Sequence, residues 1–506
     1  MKPDAYDVIV VGAGGSGLAA AVSAAQRGGR VLLLEKQTQP GGTTGIAVGS
    51  FTAAGTSLQH RAKIKDHHRI HAEDVAKFAP DVIEARNTAD MRAFFLQHAA
   101  DTLEWLQAMG LSFVGPHPEP PNRQRRMHNV VPGAKAYIAQ LQLQLARHRG
   151  VMLCDASVTD LLCEEGRFTG VVACVGATRR EFHARNGVVL AAGDYSSNAA
   201  MIAKHKGSAY GNVEGINPTA TGDGHELAER AGAQLINMDV TYGPELRFVP
   251  SGRRPFQQWL PASGPWSRCL GWLASRTPRR LMNAMIKRLL VTWQHPEDSL
   301  FADGAILVNQ QGQRFVDETE SPVRELQVAD QPGKVAYILL DQRLCERYSA
   351  WPNFISTAPD IAYAYVADYR RLRSDVTHSA HDLAEVALLC GVDAQGLVGT
   401  IQQWNEVVAG KQDDVFGRCP TDFCAPLVGG QWLLLGPVKA YFTTTEGGAM
   451  VDRQMRVLDD QGDVIPGLYA VGQNGLSGMV LWSHGLHIAW AMTSGRLAGE
   501  ALMRAE

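Results

Sequence analysis

The chain has 506 residues, a formal net charge of −3 and 45% hydrophobic residues. That length allows about three domains at roughly 150 residues each, or two large ones, and the near-balanced charge offers no global attraction to nucleic acid. The eight cysteines are scattered without CxxC spacing, which reads as reduced thiols rather than disulfides or a metal site. No run of eighteen apolar residues occurs, and Met1 to Asp7 leads straight into an apolar strand without a signal peptide, so a soluble, cytoplasmic protein is expected.

The opening segment is the most informative. Asp7 to Val11 is an apolar run of strand length, followed by Gly12-Ala13-Gly14-Gly15-Ser16-Gly17, an Ala-rich helix from Leu18 to Arg27, and a second apolar strand ending in Glu35-Lys36. This is a βαβ unit with a dinucleotide-binding fingerprint. Gly12 makes the tight turn, Gly14 removes a Cβ that would block a pyrophosphate, and Gly17 lets the helix pack close to the strand. The helix N-terminus offers free N–H groups to phosphates, and Glu35 is placed to receive ribose hydroxyls. A second Gly-rich turn, Gln39-Pro40-Gly41-Gly42-Thr43-Thr44-Gly45, follows almost at once. A nicotinamide unit has no need of it, whereas a flavin must pass the backbone at close range, so FAD is favoured.

Further along, helical periodicity predicts helices from Asn87 to Gly110 and from about Ala134 to His148, separated by a Pro-rich loop at 116–121 and the basic residues Arg123, Arg125, Arg126 and His128. Val151 to Leu162 and Phe168 to Val175 read as a strand and half a hairpin, and Asn186 to Asp194 as a buried strand. From Leu246 to Pro296 there is no acidic residue, while nine Lys and Arg alternate with four Trp. Within it Leu281, Met282, Met285, Leu289 and Trp293 share one helical face opposite Arg279, Arg280, Asn283 and Lys287. Such a helix packs on the protein or rests on an anionic membrane, which leaves peripheral membrane contact through 250–295 open; no recognition module for nucleic acid accompanies the charge. Asp341 ends an apolar strand Val335 to Leu340, helices follow to about Ala409, Ala440 to Val451 and Gly467 to Gly472 read as strands, and Trp482 to Leu502 as a helix.

Gly12-Ala-Gly-Gly-Ser-Gly17, Glu35-Lys36, Gly41-Gly-Thr-Thr44, Val189-Leu-Ala-Ala-Gly193 with Asn198, Thr221-Gly-Asp-Gly224, Gln313-Arg-Phe-Val-Asp-Glu318, Thr445-Glu-Gly-Gly448, Gly467-Leu-Tyr-Ala-Val-Gly472 and Ser494-Gly-Arg-Leu-Ala-Gly499 run in one order along the chain. In that order they resemble the FAD-dependent fumarate reductase/succinate dehydrogenase flavoprotein and 3-ketosteroid dehydrogenase superfamily. The resemblance implies an α/β fold: a discontinuous Rossmann-like FAD-binding domain (1–242 and 444–506) with an inserted α+β capping domain (243–443). It implies FAD contacts from Gly12, Gly14, Gly15, Ser16, Gly17, Glu35, Lys36, Gly42, Thr43, Thr44, Val158, Ala192, Gly193, Asn198, Asp223, Gly472, Gln473, His487 and Ile488. The helix dipole beginning near Leu486 would face the flavin ring and stabilise its anionic reduced form. No histidine lies between Gly41 and Phe51, so non-covalent FAD is expected.

Departures from the family pattern narrow the substrate. A dicarboxylate needs charged partners when taken out of water, yet the positions aligned with the family's two histidines and carboxylate-gripping arginine hold Pro244, Thr444 and Trp482. Fumarate and succinate are therefore not expected. By resemblance to the ketosteroid branch, Gly485 would supply an N–H to a ketone and His484 would exchange a proton, with Tyr242 and Tyr441 in place of that branch's tyrosines. Arg324 is the candidate for the family's proton-donating arginine, two residues out of register. The reaction expected is dehydrogenation or reduction of a CH–CH bond beside a carbonyl in an apolar or cyclic small molecule, with an electron donor or acceptor of unknown identity. Two alternatives stay open: a carboxylate-specific dehydrogenase in which Arg126, His128 and Arg324 converge, and a flavin-binding electron-transfer subunit without its own substrate.

Overall fold

The computed structural model describes residues 5–252, 259–276, 287–288, 290–292, 294–358 and 361–504. β1 (Ala5–Val11) enters α1 (Gly15–Gln26), whose Ala-rich surface is buried almost all round, as expected of a helix enclosed by its own domain. β2 (Val31–Leu34) pairs parallel with β1, Val8 opposite Val31, and β3 (Val151–Leu153) continues the sheet outward from β2. The expected strand 151–162 is divided: the chain turns at Asp155 (φ 51°) into a hairpin of β4 (Ala156–Glu164) and β5 (Arg167–Val175). That hairpin feeds β6 (Thr178–Leu190), whose second half lies parallel to β1 on its other side.

A second sheet gathers β7 (Glu245–Phe248), β8 (Ile306–Val308), β9 (Ala336–Leu340) and β10 (Trp432–Phe442), with β10 pairing antiparallel to β7 and β9. Ahead of β8, α2 (Gly264–Arg276) lies over the strand Ser112–His117. A Cβ on Gly271 would sit 2.2 Å from the Ser112 Cβ, so the small residue sets the close approach. The opposite face of α2 exposes Trp266, Trp272 and Leu273. The amphipathic face expected at Leu281, Met282, Met285, Leu289 and Trp293 lies outside the described residues. Among the described residues no helix is long and apolar enough to cross a membrane.

The chain then returns to the first sheet. β11 (Arg456–Leu458) and β12 (Val464–Ala470) complete the order β11-β12-β6-β1-β2-β3, with β12 parallel to β6. The final α3 (Leu486–Leu502) packs along α1. Gly495 and Gly499 face it, where a Cβ would meet the Ser16 and Ala20 carbonyl oxygens at 2.3 and 2.6 Å.

Apolar burial follows the same division. One core unites β1, α1, β2, the helix Ala89–Ala108 and α3 from the two ends of the chain. Another lies wholly between Leu246 and Val438. A small cluster including Tyr195, Met238, Ala440 and Phe442 joins them. The strand expected from Ala440 to Val451 is displaced: β10 ends at Phe442, and only the two-residue bridges Thr444–Thr445 and Gly448–Ala449 follow as the chain passes the cleft.

Candidate active site

One elongated cleft runs from the tip of β1 to the start of α3. At its first end the backbone leaves β1 at Gly12 (φ 100°), where a Cβ would lie 2.5 Å from the Ala191 carbonyl oxygen. Gly14, Gly15 and Ser16 line the cleft, and no protein acceptor is found among the described residues for the first-turn N–H groups of α1 at Gly15, Ser16 and Gly17. Gly17 is not on the cleft wall. A Cβ there would stand 1.9 Å from the Gly12 oxygen, so its part is to let α1 sit against the turn.

Glu35 takes the Ala13 N–H at 2.7 Å and the Gln37 N–H at 2.9 Å, which fixes the glycine turn to the end of β2 while the carboxylate borders the cleft. Lys36 reaches Asp223 at 2.8 Å and Thr221 at 2.5 Å, and Val158 comes from β4. The second glycine turn lies opposite the first: a Cβ on Gly42 would come 3.1 Å from Gly14 Cα. Gly42, Thr43 and Thr44 line the cleft, with Asn217 Nδ2 donating to Thr43 Oγ1 at 2.9 Å. Ala192 and Gly193 follow β6 and are held by Asn474, which accepts from Ala192 N at 2.6 Å and donates to the Gly193 oxygen at 3.0 Å. Asn198 is not brought to the cleft. It caps the helix Ala199–Lys206 by accepting from Met201 N and donates to the Thr221 oxygen, so it steadies the turn that leads into the helix beginning at Asp223.

At the other end, Gly485 (φ 89°) precedes α3, and a Cβ there would lie 2.9 Å from the Ser50 carbonyl carbon and Thr52 Oγ1. The first-turn N–H groups of His487 and Ile488 have no protein acceptor among the described residues, and both residues line the cleft together with Gly472 and Gln473. Such a helix terminus favours negative charge. Gln473 donates to Thr444 Oγ1 at 2.9 Å and to the Thr445 oxygen at 2.7 Å. Thr444 in turn donates to the buried Asp194 at 3.0 Å, whose carboxyl is held above the usual range by burial.

Between α3 and β7 the cleft is walled by Tyr242, Arg247, Gln294, Trp482, Ser483 and His484. Tyr242 and Trp482 meet edge to face at 5.3 Å, and burial raises the Tyr242 phenol, keeping it protonated. Arg247 bonds Glu245 at 2.8 Å and Thr443 at 3.0 Å. His484 presents its ring to the cleft, and its Nδ1 lies 2.8 Å from a carboxylate oxygen of Glu119. Desolvation by the cleft walls lowers the imidazole pKa, though 55% of the side chain stays exposed, and the Glu119 bond and charge outweigh it, with Glu245 adding to the rise and Arg247 opposing it.

Arg324 is absent from this constellation. Its guanidinium is buried against Phe301, bonded to Glu325 at 2.5 and 2.9 Å, to the Glu318 oxygen at 3.0 Å and to Asp298 at 2.8 Å, because its helix Val323–Ala329 turns it into the second core. Arg126 and His128 do not converge with it either. Arg126 is fully buried between Asp66 and Asp74, and His128 bonds Thr56 and the Phe51 oxygen. Tyr441 pairs with Glu214 and Glu245 across β10 and is not on the cleft wall. Sequence reasoning missed Glu119, Asp194, Gln294 and Asn474 as site residues and took Arg247 only as part of a basic run. Asp194 and Asn474 adjoin the glycine motifs, whereas Glu119, Gln294 and Arg247 reach the site through long-range folding without a local motif.

The cleft suits FAD on its own features. Two glycine turns leave an open passage, the N-terminus of α1 would receive phosphates, and that of α3 would favour an electron-rich ring. A family model described as FAD binding domain matches residues 7–250 and 285–485. The chain is similar to a fumarate reductase (cytochrome) of Shewanella frigidimarina, 27% identical over 98% of this chain and 77% of that protein. It is 25% identical to a 3-oxosteroid 1-dehydrogenase of Mycolicibacterium smegmatis, over 98% and 97% of the two chains. Its fold matches the open conformation of a flavocytochrome c3 fumarate reductase with a TM-score of 0.72 at 23% identity, covering 99% of this chain and 78% of that one. The chain belongs to the FAD binding domain family and is an FAD-dependent oxidoreductase acting on CH–CH groups.

Proposed function

We propose that the enzyme reduces or dehydrogenates a carbon–carbon bond adjacent to a carbonyl in an apolar or cyclic ketone. The observation that carries this reading is the charge balance of the substrate end. Its two basic side chains face two carboxylates, Arg247 with Glu245 at 2.8 Å and His484 with Glu119 at 2.8 Å. A dicarboxylate brought there would surrender its hydration without gaining uncommitted positive partners. Trp482, Thr444 and Pro244 stand where the family resemblance implied the arginine and two histidines. A neutral molecule with an aromatic or alicyclic body suits the wall formed by Tyr242 and Trp482.

FAD, held non-covalently by the two glycine turns, Glu35, Lys36 and the start of α3, supplies the two-electron exchange. The chain's own part is to bind, orient and move a proton. His484 holds that proton on the nitrogen turned away from Glu119, giving it up in the reducing direction and taking it in the other. Arg247, Gln294 and the N–H of Gly485 are donors that border this end of the cleft, where a carbonyl oxygen would lie. Residues 243–443 act as the cap that closes over the substrate, and a separate electron donor or acceptor completes the cycle.

A second reading, an unsaturated monocarboxylate, needs Arg247 to exchange Glu245 for the substrate's single charged end. Anaerobic mixing of the FAD-loaded protein with ketones, enones, monocarboxylates and dicarboxylates, followed by visible flavin absorbance, separates the readings. Ketones should bleach the flavin, or enones reoxidise the prereduced protein, faster than the acids do. Replacement of His484 by Ala should leave FAD bound and slow the exchange by roughly 10²-fold or more. Preference for fumarate or succinate would overturn the proposal.

A further inference from the structure

We propose that Glu119 is the positioning residue for His484, fixing the imidazole so that one chosen nitrogen faces the cleft. Glu119 lies in the loop between the strands Ser112–His117 and Met127–Val131 and is 8% exposed. Its carboxylate receives four donors: Ser483 Oγ at 2.8 Å, His484 N at 2.6 Å, His484 Nδ1 at 2.8 Å and Asn122 Nδ2 at 3.2 Å. An ionised carboxylate has about four acceptor sites, so the set is full only while Glu119 is charged and Nδ1 carries a hydrogen. The other ring nitrogen is then the one left for substrate.

The carboxylate is itself held from behind. Asn122 accepts from Arg126 Nη1 at 2.8 Å, and Arg126 is clamped by Asp66 at 2.7 and 2.9 Å and by Asp74 at 2.7 Å. A fully buried ion network therefore ends, two side chains later, at the cleft. The same two carboxylate oxygens hold Ser483 and the His484 backbone, so ring and main chain are located together. The other charged and titratable groups facing this pair come from β7 and the bend before it: Tyr242, Glu245 and Arg247. Glu245 acts in the same sense as Glu119, Arg247 in the opposite one.

This inference rests on His484 being the proton-exchanging group, and the test keeps the two separable. Histidine ¹⁵N NMR of the FAD-loaded protein, with His484→Ala for assignment, reads tautomer and titration without turnover. Wild type should show hydrogen on Nδ1 and titrate above a free imidazole. In Glu119→Gln the midpoint should fall, because the carboxylate's bond and charge no longer favour the protonated ring. Glu119→Asp should recover part of the shift. The pH limb of kcat in anaerobic flavin bleaching should move by the same amount, with KM changed far less than kcat. If Glu119→Gln fails to load FAD, Asn122→Ala, which releases the carboxylate from behind, should move the midpoint in the same direction. A tautomer and midpoint unchanged in the variants would overturn the inference. A midpoint that moves while His484→Ala reacts at the wild-type rate would leave the positioning intact and overturn the proton role of His484.

Discussion

His487 Nε2 stands 2.9 Å from Glu446 Oε1, joining the first turn of α3 to a carboxylate with no solvent exposure. The pair closes the cleft wall where the last helix begins. Removing the imidazole leaves a buried charge with one contact fewer, a change that costs about 3 kcal/mol in comparable sites. Urea denaturation of His487→Ala should show that loss, and adding Glu446→Gln should recover most of it, since a neutral amide costs less to leave without that partner.

Gly17 and Gly12 set a second test. With a Cβ only 1.9 Å from a backbone oxygen, Gly17→Ala forces α1 away from the turn. The expected product is a protein that purifies without yellow colour and does not take up added FAD. Gly28→Ala makes the contrast. Its φ of 87° imposes strain of roughly 1–2 kcal/mol, but a Cβ there meets nothing within 4 Å, so FAD should remain bound.

The Asp66–Arg126–Asp74 network predicts a pH dependence. Burial raises both carboxyls, but the Arg126 bonds outweigh it and hold them below their ordinary values. Depressed carboxylate pKa values give stability that is present above about pH 4 and lost as pH falls toward the folded values. In Arg126→Met the sign reverses at Asp66, which is then buried without its cationic partner, while Asp74 keeps Arg123 and Lys77. Stability at neutral pH should drop by about 3–5 kcal/mol and partly return between roughly pH 6 and 4, read by urea unfolding at each pH.

Arg247 and Arg324 should behave oppositely. Arg247→Gln unbalances the substrate end, with an expected fall in the flavin reaction of about 10-fold or more. Arg324→Gln, remote from the cleft, should leave the reaction per bound FAD intact and lower stability by roughly 1–3 kcal/mol. A kinetic loss confined to Arg324→Gln would reverse the assignment of the two arginines.

The cofactor end of the molecule was readable from sequence because its determinants are local. Glycine spacing, strand length and an acid at the end of β2 all fall within the first 45 residues. The substrate end was read less well because its determinants are remote in sequence. Trp482 to Gly485 looks continuous with the helix that follows, yet α3 starts only at Leu486. There Gly485 takes a positive φ, and the N–H of His484 turns to Glu119, 365 residues earlier, instead of entering a helical ladder. Arg324 was chosen for its nearness to a motif, and the orientation of its short helix decided otherwise. Asp155 has no feature that announces a left-handed turn, so one strand was read where the chain makes two.

The position of β6 between β1 and β12 has a consequence for synthesis. Until residues near 470 have left the ribosome, the inner edge of β6 offers unpaired backbone groups, an invitation to mispairing that a nascent chain must survive. α3 emerges later still, although its first turn walls one end of the cleft. The residues between Leu246 and Val438, which share a core of their own, are all translated before that edge is closed.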